Sequence, residues 1–390
     1  MNGEFESLQD LSNHRYSVTS AGNGLYNIAM LRTISETVSE GGGNSNAAAA
    51  AEAWENVSGL GNDKAVALKN KIMELSQLGS PKDYVNELKR IMPNESNAAQ
   101  SAALGIISEA GRNLGSRIEA RQTAMAEALF HRGLSSGDSA ERNSIWAKAI
   151  GGFASKSGEG EFDSLSAGTM IGFDRILDSG LLLGIGYAYS SIDADADAHE
   201  LSATGHSVFL YAGTDLDDSW NLHGNVMYGT ADYEDKTSEV SAEYKVQSYG
   251  AEAIVNYRKA GRFLPEAGIR YSHIAADDYK DSIGAEISSD ADDIFTGIAG
   301  LGYSFPWKDW KAAAHAHVSY DIMSDDRKTS VKIGNQSYHI VSGKMDPLGV
   351  EAGISGAKVF GGIELNLAYD FAYKNEYMSH NLSAKGTYRF

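Results

Sequence analysis

From Ser144 to the terminal Phe390 the hydrophobic period of the chain is two, and it persists through block after block separated by glycine, aspartate and serine clusters. The blocks span roughly residues 145–154, 164–177, 180–193, 202–216, 219–233, 244–260, 262–275, 292–305, 309–322, 345–358, 361–374 and 378–390. Most connections are too short for parallel crossovers, so about twelve antiparallel strands are expected. In the eleventh block Ile363, Leu365, Leu367, Tyr369, Phe371 and Tyr373 share one face, while Glu364, Asn366, Ala368, Asp370, Ala372 and Lys374 share the other. The ninth sets Trp310, Ala312, Ala314, Ala316, Val318 and Tyr320 against Lys311, Ala313, His315, His317, Ser319 and Asp321. The third sets Leu181, Leu183, Ile185, Tyr187 and Tyr189 against Gly184, Gly186, Ala188 and Ser190. The fifth sets Trp220, Leu222, Val226 and Tyr228 against His223, Asn225 and Met227. Aromatics close the ends of each apolar row with aliphatic or small residues between them, the order expected of interfacial girdles around a lipid-facing band. A tilted strand spans a bilayer with about 9–11 residues, and these blocks are long enough. A soluble sandwich or an eight-stranded lipocalin-type barrel would instead bury its aromatics and turn its charges to water. The pattern therefore reads as an all-β transmembrane barrel.

Composition narrows the alternatives. The longest apolar stretch, near Ile171–Tyr189, is broken by Asp174, Arg175 and Asp178, so no transmembrane helix is expected. With 42% hydrophobic residues the chain is too apolar for a disordered protein, although its mean hydropathy is −0.31. Its 42 glycines and 20 tyrosines suit a β architecture that places amphipathic rings at a boundary. It has no cysteine, so disulfide frameworks, thiolate metal sites and cysteine nucleophiles are excluded. A net charge of −19 argues against a nucleic-acid partner, because nothing would neutralise phosphates.

The N-terminal part has a different period. MNGEFESLQD lacks a basic region followed by an apolar core, so the natural beginning of an exported protein is expected to lie outside this sequence. Residues 14–31, HRYSVTSAGNGLYNIAML, alternate weakly and read as two short strands, the tail of something larger. Residues 29 to about 135 read as mostly helix. SNAAAAAEAWENV (45–57) has no strand period, and Ser80 caps a helix that opens with Pro81 and Asp83 and ends at Pro93. From Asn94 or Ser96 a longer helix is expected, its narrow stripe formed by Ala103, Ile106, Ile107, Ala110, Leu114, Ile118, Met125 and Leu129. Gly105, Gly111 and Gly115 flank that stripe, each costing about 1 kcal/mol against alanine in a free helix. A slim helix threaded through a confined space accounts for the choice, as does close packing on a neighbouring helix.

Twelve strands about 4.7 Å apart and tilted near 40° enclose a backbone diameter of roughly 24 Å, about half of it clear of side chains. A helix about 10–12 Å wide fits there; a folded domain does not. The organisation expected is a passenger remnant at 1–28, a helical linker region at 29–93, a long helix threading the barrel with its connector at 94–140, and the barrel at 141–390. The last helix plugs the pore. From charge and face, Arg112, Arg117 and Arg121 are candidates to meet inward acids Glu351, Glu364 and Asp370.

The chain ends NLSAKGTYRF, with Leu382, Ala384, Gly386, Tyr388 and Phe390 on one face. Tyr388 and Phe390 resemble the aromatic signal by which outer-membrane barrels are recognised for assembly. Together with SIWAKAIGGFASKSG at the first strand, the ladder of about twelve strands, the helical linker and YSVTSAGNGLYNI upstream, they make the chain resemble the translocator domain of monomeric autotransporters (type V secretion). The resemblance implies a barrel in the outer membrane of a Gram-negative bacterium, inserted with the barrel-assembly machinery and periplasmic chaperones. It also implies a monomer in outer-membrane lipid that carries its own passenger to the cell surface and anchors it there. Members that release the passenger commonly carry paired asparagines in the linker helix; Asn97 and Asn113 are isolated here, so an attached passenger is expected.

No catalytic or cofactor motif stands in a supporting context, and neither an enzyme nor a cofactor is expected. His315 and His317, two apart on one face, read as a lumen-facing polar pair rather than a metal site. The acidic run at 193–200 lacks calcium-loop spacing and reads as a turn. The stretches near 194–201, 234–243, 276–291 and 323–344 are expected to be extracellular, because the long loops of such barrels face outward. The competing reading is a porin or loop-based adhesin with a periplasmic helical appendage. The helical prefix argues against it, since a porin begins its first strand near the mature N-terminus.

Overall fold

The computed structural model describes residues 15–22, 25–31, 33–96, 98, 101, 104–105 and 142–390, and for residues 15–31 and Leu78 the backbone alone. Twelve strands close into one antiparallel barrel. β1 (Arg15–Gly22) and β2 (Leu25–Leu31) form a separate antiparallel pair. The wall consists of β3 (Asn143–Lys156), β4 (Phe162–Ile176), β5 (Leu182–Ala196), β6 (His199–Asp215), β7 (Trp220–Lys236), β8 (Ser241–Tyr257) and β9 (Phe263–Ala276), continued by β12 (Asp292–Trp307), β13 (Trp310–Met323), β16 (Leu348–Phe360), β17 (Ile363–Lys374) and β18 (Tyr377–Arg389). Each expected block corresponds to one of these strands. The intervening β10 (Tyr279–Lys280), β11 (Glu286–Ser289), β14 (Arg327–Ile333) and β15 (Gln336–Ser342) leave the wall and form a four-stranded sheet of their own. Closure joins β18 to β3, and Asn143 and Phe390 exchange both backbone hydrogen bonds at 3.0 Å.

The wall is inside out relative to a soluble protein. Ile185 on its outer face is 54% exposed and Leu382 64%, whereas inward Asp174 is fully buried. This is the distribution that lipid outside and packed polar groups inside demand. Aromatics ring both rims. Trp220 lies against Tyr257 (5.0 Å between centroids) and Phe263 against Tyr303 (4.9 Å) near the short turns, while Tyr228 lies against Tyr249 (5.2 Å) toward the long connections. Several strands outrun the apolar band. β5 continues through Asp193 and Asp195, whose side chains point outward while Ala194 and Ala196 are buried inward, so pairing persists where hydrophobicity has stopped.

Glycine is required where an inward ring crosses a neighbouring strand. A Cβ at Gly172 would strike Trp146, one at Gly184 would strike Tyr211, and one at Gly186 would strike Phe209. Trp146 stacks on Phe209, Tyr211 lies tilted beside it, and with Met170, Ile176 and Leu182 the three rings fill the short-turn end of this sector.

Four helices precede the wall: α1 (Ile34–Glu40), α2 (Ser45–Asn56), α3 (Asp63–Leu78) and α4 (Pro81–Ile91). Their starts follow capping chemistry. Thr33 and Glu36 form a capping box, the Asn44 and Asn62 side chains accept from the first-turn amides, and Ser80 accepts from Asp83 N at 3.1 Å just before Pro81. Buried Val38, Trp54, Ile72, Tyr84 and Leu88 tie the helices together. Among the described residues no helix is long and apolar enough to cross a membrane. Of the long helix expected at 94–140, Ala98, Ser101, Leu104 and Gly105 are helical, and residues 106–141 lie outside the described residues.

Candidate functional site

The mouth at the long-connection end is built from two of those connections and the helices. The connections at 276–291 and 323–344 are not open loops: they carry β10, β11, β14 and β15. Period-two alternation is present there, in Ile283–Ala285–Ile287, Val331–Ile333 and Tyr338–Ile340, and Gly334–Asn335 supplies the hairpin turn. The seven apolar residues of those rows share one core with α1–α4. α2 covers the free edge of β15. The Asn46 side-chain amide donates to Val341 O and accepts from Val341 N, both at 2.9 Å, as a neighbouring strand would. Ser58 and Asn335 bond reciprocally (2.7 and 3.2 Å), and a Cβ at Gly334, whose φ is +55°, would strike the Ser58 carbonyl.

Other connections hold the helices from the sides. Thr237 donates to Arg90 O at 2.6 Å, and Lys71 bridges buried Glu87 (2.8 Å) and Glu239 (3.0 Å), an arrangement that raises the lysine above its ordinary pKa. The acidic run at 193–200 ends β5 and opens β6 around a tight turn at 197–198, where Asp197 pairs with Lys89 at 2.5 Å. His199 next to it sits between Asp235 (2.7 Å) and Lys89 O (3.2 Å). Across the loop sheet, hydrogen bonds from Lys280 and Lys332 hold the exposed Glu286 carboxylate at a pKa of about 2. Burial raises the Asp281 carboxyl even though it accepts from Ile283 N and Ala285 N.

The lumen wall is polar and largely self-neutralised. Arg270 pairs with Glu252 at 2.7 Å, and Arg389 donates to Glu364 at 2.7 Å. His317 pairs with Glu266, His315 lies 3.3 Å from Asp370, and Lys374 pairs with Asp321. Of the acids expected to meet a plug helix, Glu364 and Asp370 therefore have partners in the wall, and Glu351 stands opposite His317 in register. Arg112, Arg117 and Arg121 lie outside the described residues. The two histidines stack at 5.0 Å, each against its own acid, and among the described residues no three potential ligands converge on a metal position.

Sequence reading missed the seam. Lys148 and Lys385 face each other in register across β3 and β18, and are only 5% and 7% exposed. Close by, Trp146 donates to Tyr211 Oη and Tyr211 donates to Asp174, each at 2.9 Å; Ser144 donates to the other oxygen of Asp174. The alternation places these residues inward, but Tyr211 lies 65 positions from Trp146 and Lys385 meets Lys148 only through closure of the barrel. Tyr388 and Phe390 project outward at the end of β18, half-exposed and stacked at 5.9 Å.

A closed, lipid-facing barrel with a buried polar lumen and a folded helical unit at one mouth defines an outer-membrane barrel. The chain belongs to the autotransporter β-domain family, whose model matches residues 145–370. It is 28% identical over 207 residues to an IgA-specific serine endopeptidase autotransporter of Neisseria gonorrhoeae, covering 51% of this chain and 13% of that protein. It thus spans a small part of that relative's length. The fold matches the translocator domain of the autotransporter NalP from Neisseria meningitidis with a TM-score of 0.55 at 19% identity, covering 75% of this chain and 98% of that one. The protein is an outer-membrane translocator for a passenger domain displayed at the cell surface.

Proposed function

We propose that this translocator holds its passenger outside by a connection that returns through its own lumen. The supporting observation is where the two ends of that connection lie. Residues 33–92 pack on the long-connection end, which faces outward in such barrels, whereas Asn143 opens β3 at the short-turn end beside Phe390. Leu104 packs on Ile192, Ala203, Tyr233, Val246 and Ile274, which point into the lumen. A wall strand of 14 residues rises roughly 35 Å at about 3.3 Å per residue and a 40° tilt. Residues 106–141, at about 1.5 Å per residue if helical, reach that far. On this reading Arg112, Arg117 and Arg121 share the charge of Glu351, Glu364 and Asp370 with the wall. The 1–28, 29–93, 94–140 and 141–390 segments then serve as passenger end, surface linker, plug and barrel.

The barrel is proposed to act as a monomer without catalysis, and no peptidase activity is carried over from the gonococcal relative. Tyr388 and Phe390 are proposed to be read by the assembly machinery, with periplasmic chaperones delivering the chain, and the passenger is proposed to stay attached.

The test uses the chain behind a secretory signal with an N-terminal epitope tag. External protease on intact cells should remove the tag while the barrel survives. A tag protected until the outer membrane is broken would instead make the protein a porin or loop adhesin with periplasmic helices. Replacing the three arginines by glutamine should raise ion conductance in planar bilayers; unchanged conductance removes them from the plug.

A further inference from the structure

We infer that one sector of the short-turn rim, at the ends of β8, β9, β12, β13 and β16, binds an anionic phospholipid of the periplasmic leaflet and holds its phosphate with Lys259, Arg262 and Lys308. Short turns of such barrels face the periplasm, so this site lies at the end opposite the helical unit and exists whichever way the linker runs.

Charge is unevenly spread around this rim. The β8–β9 turn, residues 258–262, reads RKAGR, three cations without an acid in a chain of net charge −19. The β6–β7 turn carries Asp215, Asp217 and Asp218 without a cation. Arg258 marks the border, pairing with Asp215 at 2.8 Å. Lys259, Arg262 and Lys308 are exposed and, among the described residues, form no ion pair. Asp309, the one acid in the turns 258–262, 308–309 and 361–362, is taken by Lys358.

Rings line the lipid face beside those cations. Tyr303 packs on Phe263 and stacks on Phe305 at 5.8 Å, Trp307 faces Trp310 in register, and Trp310 meets Phe360 edge-on at 6.3 Å. Trp307 is 61% exposed, and the Lys308 ammonium lies 5.9 Å from the centre of its ring. Amphipathic rings settle at headgroup level, which puts Lys308 there too. Farther from the turn the outward row of β13 is Ala312, Ala314 and Ala316, flanked in register by Leu301 and Tyr303 on β12 and Ile354 on β16. Small residues between larger ones leave a shallow lane in which an acyl chain lies against the wall.

Consecutive turns are two strands apart, roughly 10–12 Å along a tilted rim. Long cationic side chains from both sides close that distance onto one phosphate, Arg262 as a bidentate fork and the lysines as point charges. A periplasmic protein would meet the cations but not the alanine lane, which lies in hydrocarbon; a phospholipid meets both.

The experiment reconstitutes the full chain in phosphatidylcholine vesicles that contain brominated phosphatidylglycerol or brominated phosphatidylcholine, and bromine quenching of tryptophan reads contact. Trp220→Phe leaves Trp307 and Trp310 as the tryptophans on the lipid face, since Trp54 and Trp146 are buried. Their quenching should reach half-maximum at an about tenfold lower mole fraction of the brominated anionic lipid than of the zwitterionic one. Each cation near a charged headgroup contributes up to about fivefold, and salt screens part of it. Lys259→Gln/Arg262→Gln/Lys308→Gln should erase the preference; if that variant does not reconstitute, Lys308→Gln alone should reduce it about threefold. Trp307→Phe/Trp310→Phe, which leaves Trp220 beside the acidic turn, should show no preference. Equal quenching by the two lipids at Trp307 and Trp310, a preference that survives the cation variants, or one that Trp220 shares overturns the site. Inorganic phosphate at matched ionic strength should leave the preference intact. If it abolishes the preference, a free anion rather than a lipid is bound there and the inference fails.

Discussion

In the barrel wall Ile185 is more than half exposed and Asp174 is fully buried; in the helical unit Trp54 is 1% exposed, and Lys64 and Lys82 lie at the surface. One chain thus satisfies two opposite burial rules within about a hundred residues of each other. The difference comes from the solvent on each side. The wall is bounded by hydrocarbon outside and by its own polar side chains inside, so hydrophobicity is an exterior property there. The helical unit stands in water and must hide its apolar stripe, as any soluble domain does. Substitution therefore teaches opposite lessons in the two regions.

The largest effect is expected at Trp54. Trp54→Ala should cost about 3–5 kcal/mol of helical-unit stability and leave the barrel intact, read by surface proteolysis alongside heat-modifiable mobility. Ile185→Arg sharpens the contrast. At a half-exposed site in water it would be nearly neutral, but at mid-height on a lipid face it should cost about 2–4 kcal/mol in denaturant unfolding from bilayers. A neutral result would break the assignment of that face to lipid. Gly186→Ala comes next, because a methyl there meets the Phe209 ring; overpacking of this kind costs about 1–3 kcal/mol in the same unfolding assay.

The smallest effect is one of pH. The Glu286 carboxyl, ordinarily near 4.5, is lowered to about 2 by hydrogen bonds from Lys280 and Lys332. A lowered acid stabilises the folded state fully above its unfolded pKa and loses that contribution as pH falls toward its folded one. Protection of the β11–β14 amides against hydrogen exchange, corrected for intrinsic rate, should therefore decline between pH of about 4.5 and 2. Glu286→Gln should flatten that decline, and an unchanged profile would show that the bridge contributes nothing. Because the carboxylate is open to solvent, the effect is small beside the three above.

Much of this contrast was legible in the sequence. Alternation in Ile363–Lys374 and Trp310–Met323 identified both faces of those strands, because a side-chain period of two leaves no freedom in where they point. Ser80–Pro81 and the alanine run marked α4 and α2 through local capping and propensity. One feature is hidden from such a reading: stretches 276–291 and 323–344 carry strands rather than open loops, because alternating rows as short as Val331–Ile333 and Tyr338–Ile340 give little periodic signal. Glu364 and Asp370 have wall partners in Arg389 and His315, which local pattern does not reveal.

The sequence by itself determined the number of wall strands, their faces, their girdles and the helical prefix, all of which depend on residues a few positions apart. Only the tertiary structure decided that Arg270 meets Glu252, that Lys148 faces Lys385 across the seam, and that Asn46 bonds to Val341. Those pairings depend on closure of the barrel and docking of the helices. Both bring together residues up to 295 positions apart, and local periodicity has no reach over such separations.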